Sequence, residues 1–252
     1  MEILSLLELS IYEIIFVFSV ILIASIIRGF TGFGFSAITI SSLSFVIPPI
    51  QILPIILILE VSLSILMLPM IIKNIQWRFV LLFFSGIIFG SPTGLYILRN
   101  VSFEISHLII AIIVIILSLL LFKGYKNKNL DKDIFKFFTG LVSGICNGIG
   151  TIGGLPVALY LLIISMQSVS VRASLAALFF FTDTYAFTIS YYTGIVNEVV
   201  FYRALPLIFI LPFGVYIGNK YFKKSKEEEF KKIVLQVLIL ISFIAILKVI
   251  IL

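Results

Sequence analysis

The feature that most constrains this chain is a succession of apolar runs, each about as long as a bilayer is thick, separated by short blocks of lysine and arginine. A spanning helix needs about 20 mostly apolar residues. Pro54 to Ile72, Phe79 to Leu98, His107 to Phe122, Val171 to Tyr192 and Phe230 to Leu252 meet or nearly meet that length, and Tyr202 to Gly218 also qualifies. Charged residues are 12% of the chain and hydrophobic ones 61%, against roughly 25% charged in an ordinary soluble domain. So few ionisable side chains cannot cover a surface that faces water, so the expected solvent is lipid. The net charge of +6 would suit nucleic acid, but the lysines and arginines stand between apolar runs as they do in membrane loops, which argues against that partner. The single cysteine, Cys146, excludes an intrachain disulfide, a CxxC pair and a thiolate-rich metal site. Glu2, Glu8 and Glu13 precede the first basic residue, Arg28, so the N-terminus lacks the basic start of a cleaved signal peptide and the first apolar run is expected to stay.

Two further apolar regions are broken in the middle. Ile11 to Ile47 is interrupted by RGFTGFG, and Ile134 to Ser165 by NGIGTIGG. Glycine costs about 1 kcal/mol relative to alanine inside a helix, and irregular backbone at membrane depth survives only where protein or a wet cavity satisfies its polar groups. Each break therefore marks a candidate site.

Positive charge predicts the topology. The loop with Lys73 and Arg78, the block from Lys123 to Lys136 and the block from Lys220 to Lys232 belong on the cytoplasmic side. With Arg172 added, all but four of the 18 lysines and arginines then lie inside. Arg99, Arg203 and Lys248 lie outside, and Arg28 lies in the membrane. This arrangement requires the region 134–165 to cross an even number of times, either as a re-entrant hairpin or as two short spans. The same reading places both termini outside. The expected fold is an all-α polytopic membrane protein of two inverted repeats, each a glycine-broken helical hairpin followed by three transmembrane helices, a recurrent transporter plan. Residues 1–122 form the first repeat, 123–133 a basic cytoplasmic linker, and 134–252 the second repeat. Duplication has a trace in the residues themselves. Gly32 and Gly34 recur as Gly148 and Gly150, and Pro92, Gly94 and Tyr96 as Pro212, Gly214 and Tyr216, each set with its spacing intact.

Ionisable residues inside the apolar spans are Arg28, Glu60 and Asp183. Each costs about 2.5 to 3.5 kcal/mol at the bilayer centre and needs a reason to be there. Arg28 either snorkels to the headgroups or offers its planar donor fork to a bound oxyanion. Half-helices starting after Gly34 and after Gly154, the second with Pro156 in its first turn, would turn free N–H groups and positive dipole ends toward the protein centre. Arg28, Gly29, Gly32, Gly34, Ser36, Asn147, Gly148, Gly150, Thr151, Gly153 and Gly154 are the candidate substrate-binding residues, with Thr39 a further donor. Ser and Thr also bond back to their own helix, so each hydroxyl alone has a structural explanation. The duplicated register pairs Glu60 with Phe180, about one helical turn from Asp183, which sets the two carboxyls in nearly equivalent places. A buried carboxyl can load and unload a proton, so Asp183 and Glu60 are candidates for proton coupling. His107 and the pair Tyr191 and Tyr192 suit the membrane interface.

The segments RGFTGFGFSAITI, Arg28 to Ile40, and GLVSGICNGIGTIGGLPVALYLL, Gly140 to Leu162, resemble the two glycine motifs of the TauE/SafE family of sulfite and organosulfonate permeases. Length, the two halves and the basic central loop match as well, so the resemblance covers nearly the whole chain. The first motif departs from many members in carrying Phe35 and Ser36 in place of further glycine, and Ile40 in place of proline. The resemblance implies a carrier of small anions such as sulfite, thiosulfate or sulfoacetate without choosing among them.

These readings converge on a secondary transporter of a small, sulfur-containing anion in the cytoplasmic membrane, with a midplane site at the two broken hairpins and coupling to protons through Asp183 or Glu60. A passive anion channel and a cation carrier built on Glu60 and Asp183 are the alternatives. No enzyme is expected, because one histidine and one cysteine in separate halves supply neither a nucleophile with its base nor a ligand cluster. No cofactor, metal or ATP-binding P-loop is expected. The expected partners are the anion and the bilayer, with a homo-oligomer or a sulfur-transfer partner protein left open.

Overall fold

The computed structural model describes residues 10–43, 46–47, 49–100, 112, 116, 126–150, 153–192, 194, 196–226, 228–230 and scattered positions between 232 and 243. The expected span from His107 to Phe122, most of the span from Phe230 to Leu252, both termini and Thr151 lie outside the described residues. Among the described residues all regular structure is helical, as a chain dissolved in lipid requires, because a helix satisfies its own backbone groups.

The helices are α1 (Ile11–Thr31), α2 (Phe35–Leu43), α3 (Pro49–Ile71), α4 (Trp77–Asn100), α5 (Asp133–Gly150), α6 (Gly154–Ile163), α7 (Ser168–Tyr192), α8 (Glu198–Ile208) and α9 (Leu211–Lys224). α1 opens on a capping box, in which the Glu13 N–H donates to Ser10 Oγ at 3.3 Å and the Ser10 N–H to Glu13 Oε2 at 2.7 Å. It ends where Gly32 turns left-handed at φ 85° and donates its N–H to the Arg28 carbonyl at 2.8 Å. α1, α7 and α3 with its following turn are long and apolar enough to cross a membrane. α8 and α9 make a fourth span if taken together, but they are bent by 46° at Phe209 and Ile210. The sequence reading took Tyr202 to Gly218 as unbroken. Pro212 explains the difference: it has no N–H for the carbonyl four residues back, and its ring crowds that carbonyl.

Both glycine-broken regions are hairpins with one long and one short arm. α2 and α6 have 9 and 10 residues, about 15 Å at most at 1.5 Å per residue. Each brings the chain back beside the start of its longer partner. The Asn127 N–H donates to the Ile163 carbonyl at 3.0 Å, and Tyr160 Oη to the Leu130 carbonyl at 2.7 Å, tying the end of α6 to the entrance of α5. In the first hairpin Leu43 and Ile47 line one cavity with Ile14 and Phe18.

Packing exchanges partners between the halves. α4 lies along α5, and α9 along α1. Both seams run over small residues, which let backbones approach closely where no water drives helices together. A β-carbon at Gly144 would stand 2.6 Å from the Ile87 carbonyl oxygen, and Gly214 and Gly218 lie against Ser25 and Gly29 in the same way. α3 packs on α7 at the centre, flanked by α4 on one side and by α8 and α9 on the other. Ile56, Leu59 and Leu63 of α3 and Ala173, Leu175 and Ala176 of α7 are buried.

Candidate functional site

The last turn of α1 carries Arg28 into the protein centre, where it is fully buried. Its Nη1 donates to the Gly32 carbonyl at 2.5 Å and its Nη2 to Ser64 Oγ at 3.1 Å. Nη2 also stands 3.2 Å from Glu60 Oε2. The guanidinium lies 4.3 Å from the centre of the Phe179 ring, a cation–π contact. Arg28 therefore does not snorkel outward. It is not an unpaired counter-charge either, because Glu60 neutralises it, and the two residues that the sequence reading gave separate tasks form one ion pair. Glu60 and Ser64 stand one turn apart on α3, so both meet the same guanidinium.

The break after Arg28 is built for this contact. Gly32 and Gly34 adopt φ of 85° and 92°, a region open to glycine and costly for side chains with a β-carbon. Gly32 has a second constraint, since a β-carbon there would stand 2.7 Å from the Arg172 carbonyl oxygen. α2 then starts with its N-terminal end facing Glu60. The Ser36 N–H donates to Glu60 Oε1 at 3.1 Å, and Ser36 Oγ donates to the same oxygen. Amides at a helix start favour an anion, and here the anion they hold is a carboxylate of the protein itself. Thr39 Oγ1, one turn further, is buried and makes no hydrogen bond.

Asp183 reaches this cluster from α7. It is buried and interacts electrostatically with Glu60 and Arg28. Its Oδ2 makes no hydrogen bond.

The second break contributes through Phe179. Gly154, the first residue of α6, lies against the edge of that ring, where a β-carbon would stand 3.0 Å from Cε1. Ser143 Oγ donates to the Gly153 carbonyl, and Asn147 packs beside Gly153. Arg28, Gly32, Ser36 and Glu60 are thus in direct contact, and Gly154 joins them across one aromatic ring. Gly29 and Gly148 do a different job: they face the backbones of α9 at Val215 and of α4 at Gly94. Gly150 closes α5.

Two residues escaped the sequence reading. Phe179 looked like ordinary apolar bulk. Arg172, counted there among the cytoplasmic loop charges, is only 4% exposed and donates Nε to the Gly29 carbonyl at 2.9 Å. A signal was available: Phe179 and Asp183 follow Arg172 by about two and three helical turns, so the three share one face of α7.

Among the described residues no group of His, Cys, Asp and Glu could hold a metal ion. Residues 17–244 match the family described as Sulfite exporter TauE/SafE. No curated protein and no solved structure matches the chain. The matched segment takes in both glycine breaks, the ion pair between Arg28 and Glu60, and Asp183. The chain therefore belongs to the sulfite exporter TauE/SafE family, a family of transporters, and is a multi-pass membrane protein.

Proposed function

We propose that this protein is a secondary transporter that moves a small sulfur oxyanion, such as sulfite, thiosulfate or an organosulfonate, across the cytoplasmic membrane through the cluster at the two broken hairpins. One observation carries the reading: Arg28 and the start of α2 already clasp an oxyanion, the Glu60 carboxylate. A cradle of guanidinium, amide and hydroxyl donors that fits a carboxylate also fits a sulfite or sulfonate head. Substrate takes the cradle when Glu60 leaves it. Protonation of Glu60 removes its charge and weakens its hold on Arg28, which couples anion entry to a proton. The groups that face Glu60 are Arg28 from α1, Ser36 from α2 and Asp183 from α7, and Ser64 on its own helix shares the Arg28 guanidinium with it. Asp183 lacks a hydrogen bond at Oδ2 and serves as the second proton site.

The exchanged pairing of helices supports the inverted-repeat reading. α4 with α5 answers α9 with α1, and α3 with α7 is its own counterpart. The cation-carrier alternative gains nothing from the geometry, because Glu60 is already neutralised by Arg28.

The test is binding of sulfite, thiosulfate, sulfoacetate, sulfate and chloride to purified protein by thermal shift, since a ligand held only by the folded state stabilises it. Stabilisation by one or two sulfur anions, lost in Arg28→Ala, is the expected result. No shift with any anion, together with a shift by cations, would overturn the proposal.

A further inference from the structure

Beyond the central cluster the fold contains a second cavity of about 370 Å³, bounded by the end of α3, the start of α7, the last turns of α9 and the segment after it. Its lining includes Arg172, Lys223, Lys226, Asn74 and Asn219, and, among the described residues, no carboxylate. Arg172 is 4% exposed, yet its Nη2 has no hydrogen-bond partner. The rest of the side chain is fixed, by Nε on the Gly29 carbonyl and by the Phe222 ring 4.6 Å from Cζ. A buried guanidinium nitrogen left without a partner is costly unless something polar comes to it. The first residues of α7, Ser168 and Val169, line the same space, so the positive end of that helix faces it too.

We infer that this cavity is a second oxyanion seat, in which Arg172, helped by Lys223 and Lys226, holds a small hydrated oxyanion before or after it occupies the cradle at Arg28. The inference rests on the transport reading above and adds where the anion waits. Arg172 is suited to the hand-over because it stands at the partition. Its Nε holds the carbonyl of Gly29, the residue after Arg28, and its backbone presses on Gly32. Arg172 and Arg28 also repel one another, and an anion on the cavity side of Arg172 relieves that repulsion. The seat opens on the face that carries Lys223, Lys224 and Lys226, where the same chemistry could arrive as a lipid phosphate. The free solute is favoured because the anchoring guanidinium is buried, whereas a headgroup needs an accessible charge.

A reporter inside the cavity tests this. Trp77 is the only tryptophan, so Phe222→Trp in a Trp77→Phe background places a single indole against Arg172. Sulfite or thiosulfate, titrated into this protein in phosphatidylcholine nanodiscs, is expected to change the indole emission saturably. Lys223→Gln with Lys226→Gln, both on the exposed surface, is expected to raise the half-saturating concentration about tenfold, the loss of a charge-assisted contact. Arg172→Gln is expected to abolish the signal, and thermal melts report whether that variant folds. A thermal shift with sulfite but no indole response, or an indole response indifferent to the lysine pair, would overturn the second seat while leaving the central one standing. No binding by either readout would overturn both. An indole response to phosphatidylglycerol that sulfite fails to displace would make the seat a lipid site and overturn the inference.

Discussion

Arg28 and Glu60 tolerate the apolar interior because each has the other. Breaking such a buried pair by removing one partner costs about 3 to 5 kcal/mol, since the charge left behind is uncompensated. Glu60→Gln keeps the shape and removes the charge, so it leaves the cradle intact and its occupant more easily displaced. Without anion this variant is expected to melt well below the parent, and sulfite is expected to restore much of the loss and to bind about tenfold more tightly, with little dependence on pH. Arg28→Ala is expected to lose the same stability and gain nothing back from sulfite. Equal responses of the two variants in a thermal titration would show that Glu60 does not compete with substrate. All three central ionisable residues were legible in the sequence, because a charge inside an apolar run is conspicuous. Their pairing was not, since it depends on α1, α2 and α3 converging. Arg172 was misread because it stands near the start of its run, where a charge looks like a loop residue.

At the level of helices, the seam between α4 and α5 depends on the absence of side chains. Gly144→Ala puts a methyl group 2.6 Å from the Ile87 carbonyl oxygen, and backbone cannot swing aside as a side chain does. Overpacking of this kind costs about 1 to 3 kcal/mol, so a lower melting temperature is expected; an unchanged one would mean that the two helices are not seated this closely. The end of the same seam where both helices begin is ionic. Asp133, the first residue of α5, accepts hydrogen bonds from Arg78 and Lys136, and these hold its carboxyl below the ordinary 3.8. A depressed carboxyl contributes its stability in full above the unfolded value and loses it as pH falls through the folded one. The parent is therefore expected to lose melting temperature more steeply below about pH 4 than Asp133→Asn, and the two curves to converge in stronger acid. Parallel curves would remove this contact from the account. The breaks themselves were legible, because glycine clusters in apolar runs have few other uses. The bend between α8 and α9 was missed, since Pro212 was read for its place in a repeated triple and not for the hydrogen bond it lacks.

For the whole molecule, the charge pattern makes a directional statement. In a Cys146→Ser background, Lys126→Cys and Lys224→Cys are expected to react with a membrane-impermeant maleimide from one side of the membrane, and Glu198→Cys from the other. Reaction of all three from one side would remove the inverted plan. The division into two broken hairpins was legible because it follows from counting apolar length and finding where glycines interrupt it. Which helix lies against which was not, since the partners α4 and α5, or α1 and α9, come from opposite halves and no local pattern joins them.

Phe179 has a mechanical consequence. Its face carries the Arg28 guanidinium and its edge meets Gly154, so both half-sites bear on one ring fixed to one helix. A tilt of α7 that eases the ring from one break presses it on the other. For the transport proposed above, the two breaks act as doors hung on a shared hinge pin, with no position in which both stand open.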